Sequence, residues 1–343
     1  MKFIRASLFA VNIVFALLLL ISYLSPYVTP MASKYIPILG LLYPALFTIN
    51  LAFFIFWVFT KWTYSLISFC ALLIGISATM RFISFNSPKV IKSENLINIS
   101  SYNLAKATQV ESDQERSFYG LFSDELNDDV LFLQETNKKI ISELKSRVKD
   151  KEMVFFKDKN TIILSSHRVL DSGFIDFGGK NNTCVWADIL FNGEKVRLYS
   201  VHLESNNVTR IADNVRSSGE IVEKQTWDRI ARMMGRYNQF TKERLEQVEA
   251  IIQHAKEIDY PTIIGGDFND VPQSYVYAQM ADHYIDAFTK RGNGMGTSFN
   301  GSIPSLRIDY LFMSEHFDAL NFKTRKEEFS DHYPIQAEFI LRK

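Results

Sequence analysis

PTIIGGDFNDVP, Pro261 to Pro272, opens as a buried strand and closes on two acids, an amide and a proline. Thr262, Ile263 and Ile264 suit a pleated, buried surface, where β-branched side chains pack well. Two glycines then remove every side chain, and Asp267, Asn269 and Asp270 crowd in behind them. Gly, Asp, Asn and Pro also make ordinary turns, so the stretch alone decides nothing. What surrounds it does.

From about Glu94 onward the chain alternates short apolar strands with helices and shows no internal repeat. NLINISSYN, DDVLFLQET and TIILSS read as strands. CVWADILFNGEKVRLYSVHLES reads as a hairpin, two alternating runs joined at Asn192-Gly193. A polar, helical stretch runs from about Asn206 to Ile258, with Trp227, Ile230, Met234 and Tyr237 at helical spacing. The strand at Thr262, a Gly-rich loop RGNGMGTSF and two closing strands, SLRIDYLFMS and HYPIQAEFIL, complete the pattern. Such an order suggests sheets packed face to face and covered by helices.

The ends of these strands are polar in a way a core does not tolerate. Asn103 ends the first, Gln134-Glu135 the second, and His202 and Glu204 the hairpin's return strand. Asp267 and Asn269 end the strand at Thr262, Asp309 interrupts RIDYLF, and Asp331-His332 precedes the last strand. Isolated buried charges cost several kcal/mol each unless paired or bound to a cation. Convergence of these ends makes a site, and its oxygen donors suit metal-assisted hydrolysis of a phosphate ester. Glu135, Asp331 and the Asn103 amide suit Mg²⁺ or Mn²⁺. No H-E-x-x-H or C-x-x-C spacing points to zinc, and no G-x-S-x-G elbow points to acyl transfer.

The first 93 residues differ from the rest, with no Asp or Glu and seven Lys or Arg among long apolar runs. Beyond Ser93 acids exceed bases by seven, so the formal zero of the 343-residue chain hides two unlike parts. Residues 6–24, 36–60 and 62–80 each read as a membrane span, with Trp57, Trp62 and Tyr64 at an interface. Residues 1–88 are therefore expected to form a three-helix membrane anchor and 89–343 a separate catalytic domain. Lys2 and Arg5 precede the first span, which keeps the amino terminus in the cytoplasm and puts the domain on the extracytoplasmic face; Arg81, Lys89 and Lys92 argue the other way. Cys70 and the lone Cys184 of the domain offer no intradomain disulfide.

Six motifs, SSYN, LFLQET, SVHLES, IIGGDFND, RIDYLF and SDHYPI, stand in the order that resembles the endonuclease/exonuclease/phosphatase superfamily, the deoxyribonuclease I-like fold. The resemblance covers the chain from about Asn95 to its end. FNDVPQSY and GNGMGTSF look most like membrane-anchored bacterial members. It implies a four-layer α/β/β/α sandwich of two packed mixed sheets, preceded here by three transmembrane helices. It implies Glu135 as principal metal ligand with Asn103 beside it and Asp331 near. Asp267 would orient and deprotonate the attacking water, and Asn269 would hold a phosphate oxygen. Asp309 would orient His332, and His332 and His202 would donate to the phosphoryl oxygens. Whether Asp267 or His332 is the formal base stays open. Gly265 and Gly266 would let the backbone pass close to bound phosphate, with Asp267 and Asn269 on one strand face.

Other residues read as structural. Asp270 and Pro272 are turn residues, Glu204 and Ser205 shape a turn, and His167, His254, His283 and His316 belong to surface or helix positions. Arg210, Arg216, Arg229, Arg232 and Arg236 can grip phosphates but most simply form a solvated helix face. The expectation is a membrane-anchored, Mg²⁺-dependent phosphoester hydrolase acting on nucleic acid, a lipid headgroup or a small ester. The alternative is a non-catalytic membrane scaffold that keeps the fold. The expected partners are the lipid bilayer and the substrate, with no protein partner. Net acidity predicts weak binding of duplex DNA.

Overall fold

The computed structural model describes all residues except 1, 92, 106–114, 125, 179–181, 206–223, 302–305, 328 and 343. The chain divides into two compact units, and the division is not a single cut. Met1–Phe82, Asp213–Leu245 and Asp270–Ala278 form the first; Ile83–Ala212, Glu246–Asn269 and Gln279–Lys343 form the second.

In the first unit, helices Lys2–Ser22 and Tyr43–Thr60 are each long and apolar enough to cross a bilayer. The expected span 36–60 is broken at Leu42 into Ile36–Leu41 and Tyr43–Thr60. Pro44 explains the break: it has no N–H for the carbonyl four residues back, and its ring clashes with that carbonyl. The expected span 62–80 is also two helices, Trp62–Ile74 and Ile76–Phe82, bent by 63°. The bend falls at Gly75, where a side chain would start 2.0 Å from the Tyr23 ring. Among the described residues, two helices are thus long and apolar enough to cross a bilayer, or three if the bent pair counts as one. Polar contacts tie these helices together: Asn12 Nδ2 donates to Ser68 Oγ at 2.7 Å and Asn50 Nδ2 to the Phe15 carbonyl at 3.0 Å. Such bonds have no water to compete with them in an apolar bundle.

The same unit contains part of the long helix Lys224–Ala255. Arg244 is fully buried there, its guanidinium 3.1 Å from the Asp270 carboxylate. Tyr237 Oη donates to that carboxylate at 3.0 Å. Gln273 Nε2 donates to the Ser22 carbonyl at 3.3 Å, and the Gln273 carbonyl lies against Gly40, where a side chain would start 2.5 Å away.

The second unit opens with β1 (Ser84–Phe85) and continues β2 (Leu96–Asn103), β3 (Val130–Gln134), β4 (Glu152–Val154), β5 (Ile162–Ser165), β6 (Val169–Asp176) and β7 (Thr183–Phe191). β8 (Glu194–His202), β9 (Thr262–Asp267), β10 (Ile285–Asp286), β11 (Asn293–Gly294), β12 (Asp309–Met313), β13 (Phe317–Thr324) and β14 (Ile335–Leu341) follow. One six-stranded sheet runs β13-β14-β2-β3-β5-β4 and the other β10-β12-β9-β8-β7-β6. Both are mixed: β2 and β3 pair in parallel, as do β8 and β9, among antiparallel neighbours. The hairpin turns where expected, with Asn192 at φ 50° and Gly193 at φ 87°, the positive values that a two-residue turn of this twist requires.

Inner faces of the two sheets meet in one core that joins Phe132, Ile163 and Phe339 to Val185, Leu198, Ile263 and Leu311. Burying a side chain of this size contributes about 1.5–3 kcal/mol. The first sheet's other face presents Leu131, Leu133, Ile162 and Leu164 to helices Glu115–Asp124 and Lys138–Arg147. On the second sheet, His254 from the end of the long helix packs its ring on Trp186 and Tyr199. Helix, sheet, sheet, helix is the resulting order.

Candidate active site

Strand register does the first part of the assembly. Parallel pairing sets Asn103 opposite Gln134 and His202 opposite Asp267, and antiparallel pairing sets Asp309 opposite the same Asp267. Three polar side chains therefore end side by side in one sheet, and two in the other.

Asp267 is the hub and is almost fully buried. Its Oδ1 accepts the Asn269 backbone N–H at 2.8 Å, and Oδ2 accepts Asn103 Nδ2 at 2.9 Å and Asn269 Nδ2 at 3.1 Å. His332 Nε2 stands 3.7 Å from Oδ2 and His202 Nε2 3.9 Å from it. Asn103 Nδ2 also donates to Glu135 Oε1 at 3.1 Å, and His202 Nε2 lies 3.5 Å from that oxygen. Asp309 Oδ2 is 3.0 Å from His332 Nδ1, while its Oδ1 is buried without a hydrogen-bond partner among the described residues. Asn103, Glu135, His202, Asp267, Asn269, Asp309 and His332 thus form one connected group.

Asp331 stands at the edge of it. Its carbonyl accepts the Asn300 N–H at 2.7 Å, and its carboxylate is 3.5 Å from Ser330 Oγ. Its negative charge also helps raise the pKa of His332.

Backbone geometry at two of these residues is unusual. Glu135 has φ 54° and Asn269 φ 51°, left-handed values that cost a non-glycine residue free energy. Thr136 holds the first in place, with both its N–H and its hydroxyl donating to the Asn160 carbonyl at 2.8 Å. The Asn269 amide donates to the Leu203 carbonyl at 3.0 Å. Asn269 therefore reaches Asp267 through a tight turn after β9, not by sharing a strand face with it.

The glycines are fixed by packing inside the sheets. A side chain at Gly265 would start 2.5 Å from Leu311 and 2.7 Å from Phe132, inside the core between the sheets. One at Gly266, where φ is 143°, would start 1.9 Å from the Val201 carbonyl of the neighbouring strand. Sheet packing alone requires both glycines.

Electrostatics follow from this crowding. Burial pushes the Asp267 carboxyl up and Asp309 adds to it; His332, His202 and the Asn269 N–H pull it down, for a pKa of about 6. Burial works against the His332 imidazolium, but the Asp309 and Asp267 carboxylates outweigh it and raise its pKa to about 10. The His332 ring lies between the two acids, Asp309 at Nδ1 and Asp267 toward Nε2.

Several contributors escaped the sequence reading. Ser298 Oγ accepts the N–H groups of Ile308 and Asp309, both at 3.0 Å. Ser330 Oγ donates to the Asn103 carbonyl at 2.8 Å and accepts the His332 N–H at 3.2 Å. Phe299 sets its ring edge-on to that of His332, centroids 5.0 Å apart. Asp270, expected to be a turn residue, is the buried partner of Arg244 and Tyr237.

The residues read as structural stay outside the cluster. His167 packs edge-on against Phe191, and His254 Nδ1 meets Tyr199 Oη at 2.8 Å. His283 is exposed, and His316 Nδ1 is 3.2 Å from Ser314 Oγ. The Glu204 N–H donates to Gln247 Oε1 at 2.9 Å. Of the arginine series, Arg236 is exposed, while Arg210 and Arg216 and the side chains of Arg229 and Arg232 lie outside the described residues.

Two face-to-face mixed sheets with acids, amides and histidines at one mouth define an α/β phosphoester-hydrolase architecture. Residues 101–332 match the model of the Endonuclease/Exonuclease/phosphatase family, well over half of the chain, and the chain belongs to that family. Residues 3–82 match a second model, described as a domain of unknown function (DUF8431). The chain matches no curated protein. Among solved structures, it is similar to an endonuclease/exonuclease/phosphatase from Bacteroides vulgatus at 16% identity and a TM-score of 0.56, over 73% of this chain and 100% of that one. TDP2 of D. rerio, complexed with a single-strand DNA product, is 20% identical over 71% of this chain and 98% of that one, with a TM-score of 0.52. A mannosyl-6-phosphatase of Bacteroides thetaiotaomicron is 17% identical over 71% and 100%, also with a TM-score of 0.52. At these identities the likeness is one of fold.

Proposed function

We propose that this protein is a membrane-anchored, divalent-metal-dependent phosphoester hydrolase that cuts by in-line attack of water. The carrying observation is the connected cluster around Asp267, in which His202 and His332 stand within 4 Å of its carboxylate and Glu135 within 4 Å of His202.

The donor chemistry fits Mg²⁺ or Mn²⁺. Glu135 is the most open carboxylate of the cluster, its side chain 36% exposed, and Asn103 Nδ2 occupies only its Oε1. Asn103 Oδ1 accepts one N–H, from Ala105 at 3.0 Å, and keeps a second lone pair. Glu135, Asn103 and Asp331 are assigned as the residues that hold the ion. Asp267, Asp309 and His332 also bring ligand atoms within 4.8 Å of one another. Their Asp309–His332 hydrogen bond and the imidazolium charge favour a proton network there instead. When bound, the ion supplies positive charge that polarises a phosphoryl oxygen and lowers the pKa of water.

The chain's own residues divide the remaining work. Asp267, with a pKa near neutrality, orients and deprotonates the attacking water. Asn103 and Asn269 aim its carboxylate, and Asn269 turns an amide proton to a phosphate oxygen when substrate displaces one of its present acceptors. His332, oriented by Asp309, and His202 donate to charge that builds on the phosphoryl oxygens. The apolar amino-terminal helices hold the enzyme in a bilayer, with its catalytic unit on the extracytoplasmic face. A nucleic-acid product in one similar structure and a sugar phosphatase in another leave the substrate class broad.

The test is a panel of phosphate mono- and diesters offered to the full-length chain in detergent with Mg²⁺, Mn²⁺ or chelator. Turnover that needs the ion is expected. Turnover unchanged by chelator refutes the metal assignment, and no turnover across the panel refutes the hydrolase reading.

A further inference from the structure

Directly after Asn269 the chain enters a second buried cluster, to which the proposed chemistry gives no task. Asp270, Arg244 and Tyr237 are all buried. Arg244 Nη2 lies 3.1 Å and Nε 3.2 Å from Asp270 Oδ2, while Tyr237 Oη donates to Oδ1 at 3.0 Å. The Val271 N–H donates to the same Oδ1 at 3.0 Å. Arg244 also donates to Thr241 Oγ1 at 3.0 Å, and that hydroxyl donates to the Tyr237 carbonyl at 2.8 Å. Tyr237, Thr241 and Arg244 follow one another at steps of four and three on the helix Lys224–Ala255, so one face of it presents all three.

Stability alone does not call for such a pair. Burying two charges strips both of hydration, and apolar side chains of similar volume often stabilise a core as well or better. Direction is what a carboxylate adds, because each of its hydrogen bonds has a preferred length and angle. The residue whose direction matters is its neighbour in the chain. Asn269 has φ 51°, a value that a side chain disfavours. From that backbone its N–H and its side-chain amide both converge on the Asp267 carboxylate, at 2.8 Å and 3.1 Å. Relaxation of φ would swing both donors away. On the amino-terminal side the turn is held by the Phe268 N–H, which donates to the Ile308 carbonyl at 2.9 Å. On the carboxyl-terminal side stands Asp270, with its oxygens held by Arg244, Tyr237 and the Val271 N–H.

Resting on the hydrolase reading, we infer that Asp270, Arg244 and Tyr237 are positioning residues: they clamp the carboxyl-terminal side of the Asn269 turn and so hold Asn269 on Asp267. They act through Asn269, and not on the reacting atoms. The clamp keeps a strained backbone from relaxing, which is the condition under which such strain persists at a working site. Its effect falls on the chemical step, since a donor set that drifts off the Asp267 carboxylate leaves the attacking water without an aimed base.

Variants of the full-length chain in detergent separate positioning from stability. In the first, Asp270→Leu, Arg244→Met and Tyr237→Phe together remove the polar side chains of the clamp and leave no charge of the pair behind. In the second, Asp270→Asn with Arg244→Met keeps Tyr237 and an oxygen that accepts from it and from the Val271 N–H. With Mg²⁺ and p-nitrophenyl phosphate or bis(p-nitrophenyl) phosphate, the first should lose about 10²-fold in kcat with KM changed by about threefold at most. The second should recover about tenfold or more of that loss at a similar melting temperature. Hydrogen exchange read by mass spectrometry follows the turn without turnover: the Asn269 N–H should exchange about tenfold faster in the first variant than in the second or the wild type. Arg244→Lys keeps the charge but not the two-nitrogen fork; it should show both effects at about tenfold or less, and it serves if the first variant does not fold. Faster exchange at Asn269 without turnover by any form upholds the clamp and fails the hydrolase reading alone. Wild-type kcat and wild-type exchange in the first variant and in Arg244→Lys overturn the clamp and leave the hydrolase reading standing. A loss of kcat that follows melting temperature, with Asn269 exchange unchanged, overturns it as well.

Discussion

Asp309→Asn isolates one contact. His332 Nδ1 meets Asp309 Oδ2 at 3.0 Å, and both side chains are nearly buried. At that distance the pair attracts by about 5 kcal/mol for an effective dielectric near 20, an upper bound because asparagine keeps a dipole there. Division by ~1.4 kcal/mol per pKa unit gives a drop of roughly three to four units. His332 would fall from about 10 to the neighbourhood of its ordinary 6.5, where burial keeps it neutral at pH 8. A positioned acid or base contributes ~10²–10⁴ in rate, and that is the expected loss. The sign for stability follows from the raised pKa. Wild-type stabilisation by His332 is complete below about 6.5 and is lost as pH rises through about 10. Asp309→Asn should flatten that decline. The assays are a pH–rate profile and thermal unfolding from pH 6 to 10 for both proteins, and the readout is the difference between them, which a bound ion shifts less than either position. A variant within tenfold of wild type at pH 8, with an alkaline limb in the same place, would refute the coupling.

Three other perturbations follow from the same geometry. Glu135→Gln should remove most Mg²⁺-dependent turnover while leaving the melting temperature within a few degrees, because shape is kept and only charge is lost; equal turnover at saturating Mg²⁺ rejects Glu135 as principal ligand. Asp270→Ala strands the fully buried Arg244 and should destabilise by ~3–5 kcal/mol, measured by denaturant unfolding, whereas replacing both partners with apolar residues should recover most of it. A reporter fused after Lys343 should be active only outside the cytoplasm; activity confined to the cytoplasm reverses the orientation.

Much of this was legible because strands announce themselves locally. Val130–Gln134, Thr262–Asp267 and the hairpin at Asn192-Gly193 lie where apolar alternation and turn chemistry put them. Asp267 and His202 end their strands and Glu135 directly follows its own, so the polar strand ends led to the cluster. What escaped was decided by distant partners. Val169–Asp176 is a largely exposed strand without a clear apolar run, and Phe317–Thr324 carries Asp318 and Asn321 in its middle. Gly266 is required by a carbonyl of the neighbouring strand, 65 positions earlier in chain order, which no local reading of Gly-Gly can see. Asp270 resembled a turn acid because its cation sits on a helix 26 residues upstream. The broken helices at Leu42 and Gly75 reflect backbone limits that hydropathy averages out.

The grip on Gln273 bears on how the enzyme can be handled. A biochemist seeking a soluble fragment would trim the chain at residue 83 or 89 and discard everything before it. Such trimming removes the Ser22 carbonyl that holds the Gln273 amide and the Gly40 surface on which the Gln273 backbone lies. It does so four positions after Asn269, in the segment that also contains Asp270. The amino-terminal helices therefore also pack against the Gln273 segment. A chain that retains those helices keeps the contacts that hold the Gln273 segment.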